Sequence, residues 1–428
     1  MRRTEAELER IYGSPEWRRL HRWRRLQVEA NVWRHRLLHP VDTARTVASR
    51  LLPAAWRLRL VRLLRQVRGE RQERAAGGPA VPPPAAAPRG GEQAPRPTIL
   101  CLPVIEWSFR RQRPQQLLER LAARGWPVLY AALEFEVGAT RATVAPDELA
   151  PGVRRLVLPA GREIGAGAEP LGVEDTRLAA RAISKLRDRE DLDAAVILCQ
   201  SPFWFPLARV LHRAFGWPLV YDRMDLHEGF ASTYAGIGED DRRLQEEADL
   251  VLASSRVLAE DSREHARRVV HLPNGCDWTT WESAPASTKL DKLPRPIIGY
   301  YGAISSWFDT ELVVSLALAR PAWSFVLIGS TWDADTSRLE QLPNVHLLGE
   351  IPYAELPAFA AAFDAAILPR KRLPLTEAME PVKLYEMLAL GLDVVAPPLA
   401  SLDVFEGLIR IADGPEAFLA VLEEVLRH

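Results

Sequence analysis

From Pro97 onward, short apolar runs alternate with longer amphipathic stretches. The runs Thr98–Leu102, Val128–Ala131, Ala194–Leu198, Leu219–Tyr221 and Leu250–Ala253 read as buried strands, and Gln115–Arg124, Thr176–Arg187 and Leu207–Ala214 read as helices between them. A second series opens near Arg295, with strands Ile297–Tyr301, Phe325–Ile328, His346–Leu348, Ala365–Leu368 and Val394–Ala396. Its helices fall around 311–319, 354–362, 382–390 and 415–427. Strand–helix alternation of this kind predicts an α/β fold with two Rossmann-like, doubly wound domains, 98–280 and 281–428. The turn-rich stretch 273–295 reads as a hinge. Two such domains face a cleft at the carboxyl ends of their strands, where a ligand is expected.

Before Pro97 the pattern is different. Trp17, Leu20, Trp23, Leu26, Ala30, Trp33 and Leu37 recur at steps of three and four, flanked by Arg18, Arg19, Arg22, Arg24 and Arg25. Residues 54–68 repeat this, with Trp56, Leu60, Leu63, Leu64 and Val67 against five arginines. Residues 1–74 therefore read as a basic, amphipathic helical arm. Residues 75–97 hold seven Pro, seven Ala and four Gly, too few core-forming side chains to pack, and read as a flexible linker.

Charge sharpens this division. The 428 residues carry a net charge of −1, yet the arm has 19 arginines against 8 acidic residues, leaving the rest mildly acidic. Such an arm suits an anionic membrane surface, with Trp at the headgroups and Arg on the phosphates. A small helical bundle or a partner-docking helix is the equal alternative. Nucleic acid is not expected as a partner, because the acidic body shows no stacking platform. Three separated cysteines, Cys101, Cys199 and Cys276, exclude a disulfide scaffold and a zinc ribbon. With no apolar run long enough to span a bilayer, the expectation is a cytoplasmic protein held peripherally at a membrane.

Several common chemistries fail on spacing. The first strand runs into Leu102-Pro103-Val104-Ile105-Glu106-Trp107 without a glycine, so no dinucleotide fingerprint is present. The Asp191/Asp193 and Asp333/Asp335 pairs have metal-binding spacing, but their settings favour turn chemistry, and neither a metal nor a cofactor is expected. P-loop, H-E-x-x-H and G-x-S-x-G motifs are missing.

The stretch 364–398 is more informative. A strand ends in a basic, proline-bounded loop holding Arg370, Lys371 and Arg372, and Pro381 then opens a helix. Free N–H groups and the dipole of that helix end attract anions. Lys383 and Glu386 lie three apart on one face, either as a solvated ion pair or as a cation and a carboxylate spaced for a diphosphate and its ribose.

At this point the sequence resembles the nucleotide-sugar-dependent glycosyltransferases of the GT-B fold, specifically the family-4-like bacterial enzymes of surface-polysaccharide synthesis. The resemblance runs through Arg113-Pro114-Gln115-Gln116-Leu117, Tyr221–His227, Pro273-Asn274-Gly275-Cys276-Asp277, Ile298–Ile304, Val345–Gly349 and Pro381-x-Lys383-x-x-Glu386-x-Leu388-Ala389-x-Gly391. It covers roughly 98–428 and omits the arm. It implies that Glu386 accepts hydrogen bonds from the donor ribose, while the Leu375 and Thr376 amides, Lys383 and Arg370 meet the diphosphate. His227 and Asp225 are implied as catalytic residues beside the donor sugar and acceptor. Arg113, Trp107, Asp222 and Gly302 are the implied cleft and acceptor candidates.

Two positions depart from the family pattern. Ala378 stands where better-known members have a glutamate eight residues before the ribose-binding one, with Glu377 and Glu380 beside it. Ser305-Ser306-Trp307-Phe308 replaces a basic residue after the first strand of the second domain. The resemblance therefore implies a metal-independent, retaining hexosyltransferase acting on a lipid-linked or polysaccharide acceptor at the cytoplasmic membrane face. The alternative is a non-catalytic, degenerate domain pair serving as a scaffold of a membrane assembly. A nucleotide-sugar epimerase on the same fold leaves the arm unexplained.

Overall fold

Every position of the first strand, β1 (Thr98–Leu102), is buried, as a strand covered on both faces requires. In the computed structural model, which describes residues 96–427 apart from Asp191, Asp193 and Trp332, this strand sits inside an eight-stranded sheet. The expected arm, most of the linker and the Asp191/Asp193 pair lie outside the described residues. The remaining strands of the first half are β2 (Val128–Ala131), the short β3 (Glu136–Val137), β4 (Thr143–Ala150), β5 (Val153–Val157), the short β6 (Pro159–Ala160), β7 (Ala195–Cys199), β8 (Leu219–Arg223), β9 (Leu250–Ala253) and β10 (Val269–His271). Their order in the large sheet is β10-β9-β8-β7-β1-β2-β5-β4, with β3 and β6 paired separately.

All neighbours in that sheet are parallel except β4 and β5, which are antiparallel. The antiparallel pair is an edge added to an otherwise parallel sheet. Only Pro151 and Gly152 separate the two strands, a connection too short for a crossover, and Gly152 takes the positive φ (+78°) that the tight turn needs.

The second sheet is parallel throughout. Its strands are β11 (Ile297–Tyr301), β12 (Ser324–Ile328), β13 (Val345–Leu347), β14 (Ala365–Ile367), β15 (Val394–Ala396) and β16 (Arg410–Ile411), ordered β13-β12-β11-β14-β15-β16. All ten strands expected from the sequence recur, five with identical bounds and five with bounds moved by one or two residues. Helices Ile237–Glu247 and Arg256–Ser262 were not foreseen, because their polar faces dominate the short pattern.

The connection between the sheets is less slack than its composition suggests. It holds the short helix Trp278–Glu282, whose Trp281 is fully buried and stacks on Tyr301 with ring centroids 5.7 Å apart. Four side-chain groups then converge where the carboxyl ends of the sheets meet: the loop after β1, the loop after β8, the glycine turn after β11 and the loop after β14.

Candidate functional site

Helix Val382–Ala389 begins at Pro381, which stands at the N-cap, one position earlier than the sequence reading put it. The Leu384 amide donates to the Pro381 carbonyl at 3.2 Å, while the Val382 and Lys383 amides have no carbonyl a turn earlier in the helix, so the end is electropositive. Lys383 projects from that turn over Gly302: its Nζ lies 3.5 Å from the Tyr300 hydroxyl and 5.1 Å from the centre of the Tyr300 ring. Gly302 has φ +131°, and a Cβ built there would lie 2.1 Å from the Lys383 Nζ. Gly329 completes the cradle, since its own Cβ would fall 1.9 Å from the Gly302 carbonyl oxygen. Close approach of backbone demands Gly329, and the positive φ demands Gly302, whose nearest neighbour is the movable end of Lys383.

Burial holds the Lys383 ammonium down to about 7, with the Arg370 charge adding to the effect, Glu386 opposing it and Arg110 adding a smaller part. Glu386 is buried, which raises its carboxyl, while the Tyr353 and Tyr301 hydroxyls and Lys383 pull the other way. The Tyr353 hydroxyl donates to Glu386 Oε1 at 2.8 Å and accepts from Gln116 Nε2 of the first domain at 3.4 Å. Lys383 and Glu386 thus share a face without closing an ion pair, contrary to the solvated-pair alternative.

The basic loop does not act as a unit. Arg370 is 5% exposed, donates through Nη1 to the Met379 carbonyl at 3.1 Å, and leaves its Nε without a partner. Burial lowers its pKa, opposed by Tyr300 and Asp225. Lys371 instead caps the Ser306 carbonyl at 2.9 Å, and Arg372 stays exposed near Glu377 and Asp413. Thr376 is buried, and its hydroxyl donates to the Lys371 carbonyl at 2.6 Å, bracing the loop. The Leu375 side chain packs on Gly229 of the first domain, where a Cβ would come within 2.9 Å of it. Phe230 and Trp307 meet edge to face beside this contact, their centroids 5.7 Å apart.

Asp225 answers this cluster from the first domain. Burial pushes its carboxyl up to about 6, with the Arg370 charge opposing. Asp225, Arg370, Tyr300, Lys383 and Glu386 therefore form one chain of mutually felt charges across the two domains, and such clustering of perturbed groups marks functional sites. His227 is 4% exposed and its Nε2 has no partner. Burial lowers its imidazole to about 4, so the ring is neutral at pH 7; the charges it feels are those of Asp241 and Arg223, inside the first domain. No hydrogen bond joins it to Asp225.

Three implied cleft candidates turn elsewhere. Arg113 was expected to face the cleft, but its Nη2 donates to Asp222 at 2.9 Å, with side-chain exposures of 9% and 0%. Asp222 also accepts from Gln200 Nε2 at 3.1 Å. The pairing has a plain cause: a buried carboxylate needs charged and polar partners. Arg113 Nη1 reaches on to the Pro273 carbonyl and Asn274 Oδ1 at 3.2 and 3.3 Å. Trp107 lies against the edge of Tyr130, 5.0 Å between centroids, in the packing of the first domain.

The departures from the family pattern are structural as well. Ala378 is 2% exposed in an apolar cluster with Ala253, Leu258 and Ala259. Neither neighbouring glutamate replaces the missing one. Glu377 Oε2 accepts from the Ala400 amide at 2.6 Å, and Glu380 is 4% exposed and holds Asn274, accepting from its amide at 2.9 Å. Ser305 donates to Asp333, in keeping with the structural role expected of that aspartate. Among the described residues, no group of three or more His, Cys, Asp or Glu is gathered that could hold a metal ion. No described helix is long and apolar enough to cross a membrane.

Sequence reasoning missed Tyr353, Tyr301 and Arg110. Arg110, in the loop after β1, donates through Nε to Glu350 of the second domain at 2.9 Å. Nothing in local spacing could have found these residues, because their partners lie more than thirty positions away.

Comparison with known proteins agrees with this architecture. Residues 295–428 match the family described as glycosyl transferases group 1. A Bacillus subtilis (strain 168) protein, TuaH, whose name assigns it to teichuronic acid biosynthesis as a glycosyltransferase, is 28% identical over 250 residues. The match covers 52% of this chain and 62% of TuaH. Among solved structures, sucrose-phosphate synthase from Thermosynechococcus elongatus superposes with a TM-score of 0.63 at 18% identity, covering 78% of this chain and 90% of its own. Anabaena HepE, solved with UDP and glucose, gives 0.55 at 14% identity over 78% and 89% of the two chains. By these matches residues 295–428 are similar to the group 1 glycosyl transferases, and the chain with its two sheets has the two-domain GT-B fold.

Proposed function

We propose that the chain transfers a sugar from a nucleotide-diphosphate donor to a lipid-linked or polysaccharide acceptor. The observation that carries this is the Lys383–Glu386 pair: a partly buried cation and a buried carboxylate one turn apart at an electropositive helix end, beside a glycine cradle. The cation and helix end suit a diphosphate, and the carboxylate suits vicinal hydroxyls. HepE, solved with UDP-glucose, supports a donor of this class, and the name of TuaH, which places that protein in teichuronic acid biosynthesis, supports a polysaccharide product.

In this reading Lys383, Arg370 and the amides of Leu375 and Thr376 stabilise the departing diphosphate, the main electrostatic work of the transfer. Glu386 exchanges the Tyr353 hydroxyl for the ribose. Asp225, poised near neutrality, exchanges a proton with the acceptor hydroxyl, and the neutral His227 donates to a donor-sugar hydroxyl. The anomeric configuration is retained, no cofactor is needed, and the basic arm holds the enzyme at the cytoplasmic membrane face.

The test is a thermal-shift panel of nucleoside diphosphates and their sugar conjugates on the full chain and Glu386→Ala. A ligand at 100 times its Kd stabilises by about 2.7 kcal/mol. A shift for one nucleotide, lost in the variant, is the expected result. No shift for any would overturn the reading and favour the scaffold alternative, which Ala378, packed in an apolar cluster, also supports.

A further inference from the structure

We propose that Arg110, carried by the first domain, supplies the phosphate-facing cation that the glycine loop of the second domain lacks, so that full donor affinity requires a closed cleft. This rests on the donor-site reading of Lys383 and Glu386.

The glycine turn after β11 continues through Ala303-Ile304-Ser305-Ser306-Trp307-Phe308 without a basic residue. The nearest cations of the second domain are committed or partly so. Lys371 caps the Ser306 carbonyl, and Arg370 is held by the Met379 carbonyl. Lys383 is the one ammonium over the cradle, and burial disfavours its charge. A diphosphate carries more charge than a partly protonated amine and one buried guanidinium neutralise well.

Arg110 reaches the same cradle from the opposite side. Its partner Glu350 directly follows Gly349, whose carbonyl accepts from the Gly329 amide at 2.8 Å, and Gly329 touches Gly302 beneath Lys383. The Arg110 charge is felt by both Lys383 and Tyr300, the two side chains that close the cradle. Its Nε and Nη2 both donate to a single oxygen, Glu350 Oε1, and the guanidinium rests over the Phe109 ring at 4.5 Å. Among the described residues Nη1 has no hydrogen-bond partner, so the group is held along one edge and offers the other. A partner-free, nine-tenths buried Nε on Arg370 in the same charge cluster marks the place as built for an acceptor oxygen that only a ligand brings.

Because Arg110 and Glu350 belong to different domains, this cation is in place only when the cleft is shut. Arginine suits the task, since its fork can bind a carboxylate and a phosphate oxygen together. Glu350 keeps the guanidinium aimed, and the incoming phosphate takes the free edge.

The experiment measures calorimetric Kd values for the UDP/UMP, ADP/AMP and GDP/GMP pairs on the full chain. The variants are Arg110→Ala, Arg110→Lys, Glu350→Gln and Glu386→Ala. One charge-assisted contact to the terminal phosphate corresponds to about tenfold in affinity. Arg110→Ala should weaken the diphosphate by about that factor and leave the monophosphate within about twofold, with Arg110→Lys between. Glu386→Ala should weaken both members of the pair alike. An unchanged di- to monophosphate ratio in Arg110→Ala would overturn the inference and leave the donor site standing. Absence of nucleotide binding in the unaltered chain would overturn both.

Discussion

The Lys383 Nζ occupies the space that a side chain on Gly302 would fill, 2.1 Å from the Cβ position. A substitution Gly302→Ala therefore collides with the ammonium and also strains a backbone at φ +131°, a cost of about 1–3 kcal/mol. The variant should fold with a lowered melting temperature and lose nucleoside diphosphate binding at least about tenfold. Wild-type affinity in Gly302→Ala would show that Lys383 does not need the position it holds.

Lys383 also makes binding a proton-coupled event. Burial holds its pKa near 7, so above that pH the amine is mostly neutral. A diphosphate favours the charged form and raises the pKa, so binding takes up a proton from solvent. Calorimetry at pH 8 in buffers of different ionisation enthalpy should register uptake approaching one proton, and affinity should fall as pH rises above 7. Lys383→Met should abolish the buffer dependence; its persistence would assign the proton elsewhere.

Asp225 and His227 set opposite slopes on stability against pH. The Asp225 carboxyl is raised to about 6 in the fold, so its contribution is fully present below the ordinary carboxylate range and lost as pH climbs through 6. The His227 imidazole is lowered to about 4, so its contribution is present above the ordinary histidine range and lost as pH falls through 4. Between pH 4 and 6 the two oppose each other. Urea midpoints should vary little with pH in the unaltered chain, rise with pH in Asp225→Asn and fall with pH in His227→Gln. Parallel slopes in the two variants would contradict the assignment.

Removing one partner of a buried ion pair costs about 3–5 kcal/mol, since the other charge is stranded. Arg113→Ala leaves Asp222, 0% exposed, with only Gln200, and should lower the urea midpoint sharply. Arg110→Ala, whose Glu350 partner is half exposed, should cost about 1 kcal/mol or less. Two arginines three positions apart thus differ in their effect because their carboxylates differ in access to water.

The contrast also explains what could be read in advance. Strand and helix positions were legible because burial on both faces of a parallel sheet leaves nearly continuous apolar runs, as in β1 and β11. The β4–β5 hairpin was not, since its mixed polar pattern, with Arg154 and Arg155 in β5, hides a half-covered edge. The Lys383–Glu386 spacing was legible because helix pitch sets it locally, and Gly302 entered through the family resemblance. The Arg113–Asp222 pairing, Tyr353 and Arg110 were not legible for one reason: which of several polar groups a buried charge selects is decided by elements far apart in sequence.

Asn274 stands where the chain passes from one sheet to the other, gripped by Arg113 on its Oδ1 and by Glu380 on both its amide nitrogens. Glu380 is itself tied to the Tyr385 hydroxyl at 2.8 Å, on the helix that bears Lys383 and Glu386. The crossover behaves as a pinned joint. Any movement of the two halves that kept these bonds would pivot at that asparagine and return the same few side chains to the same register.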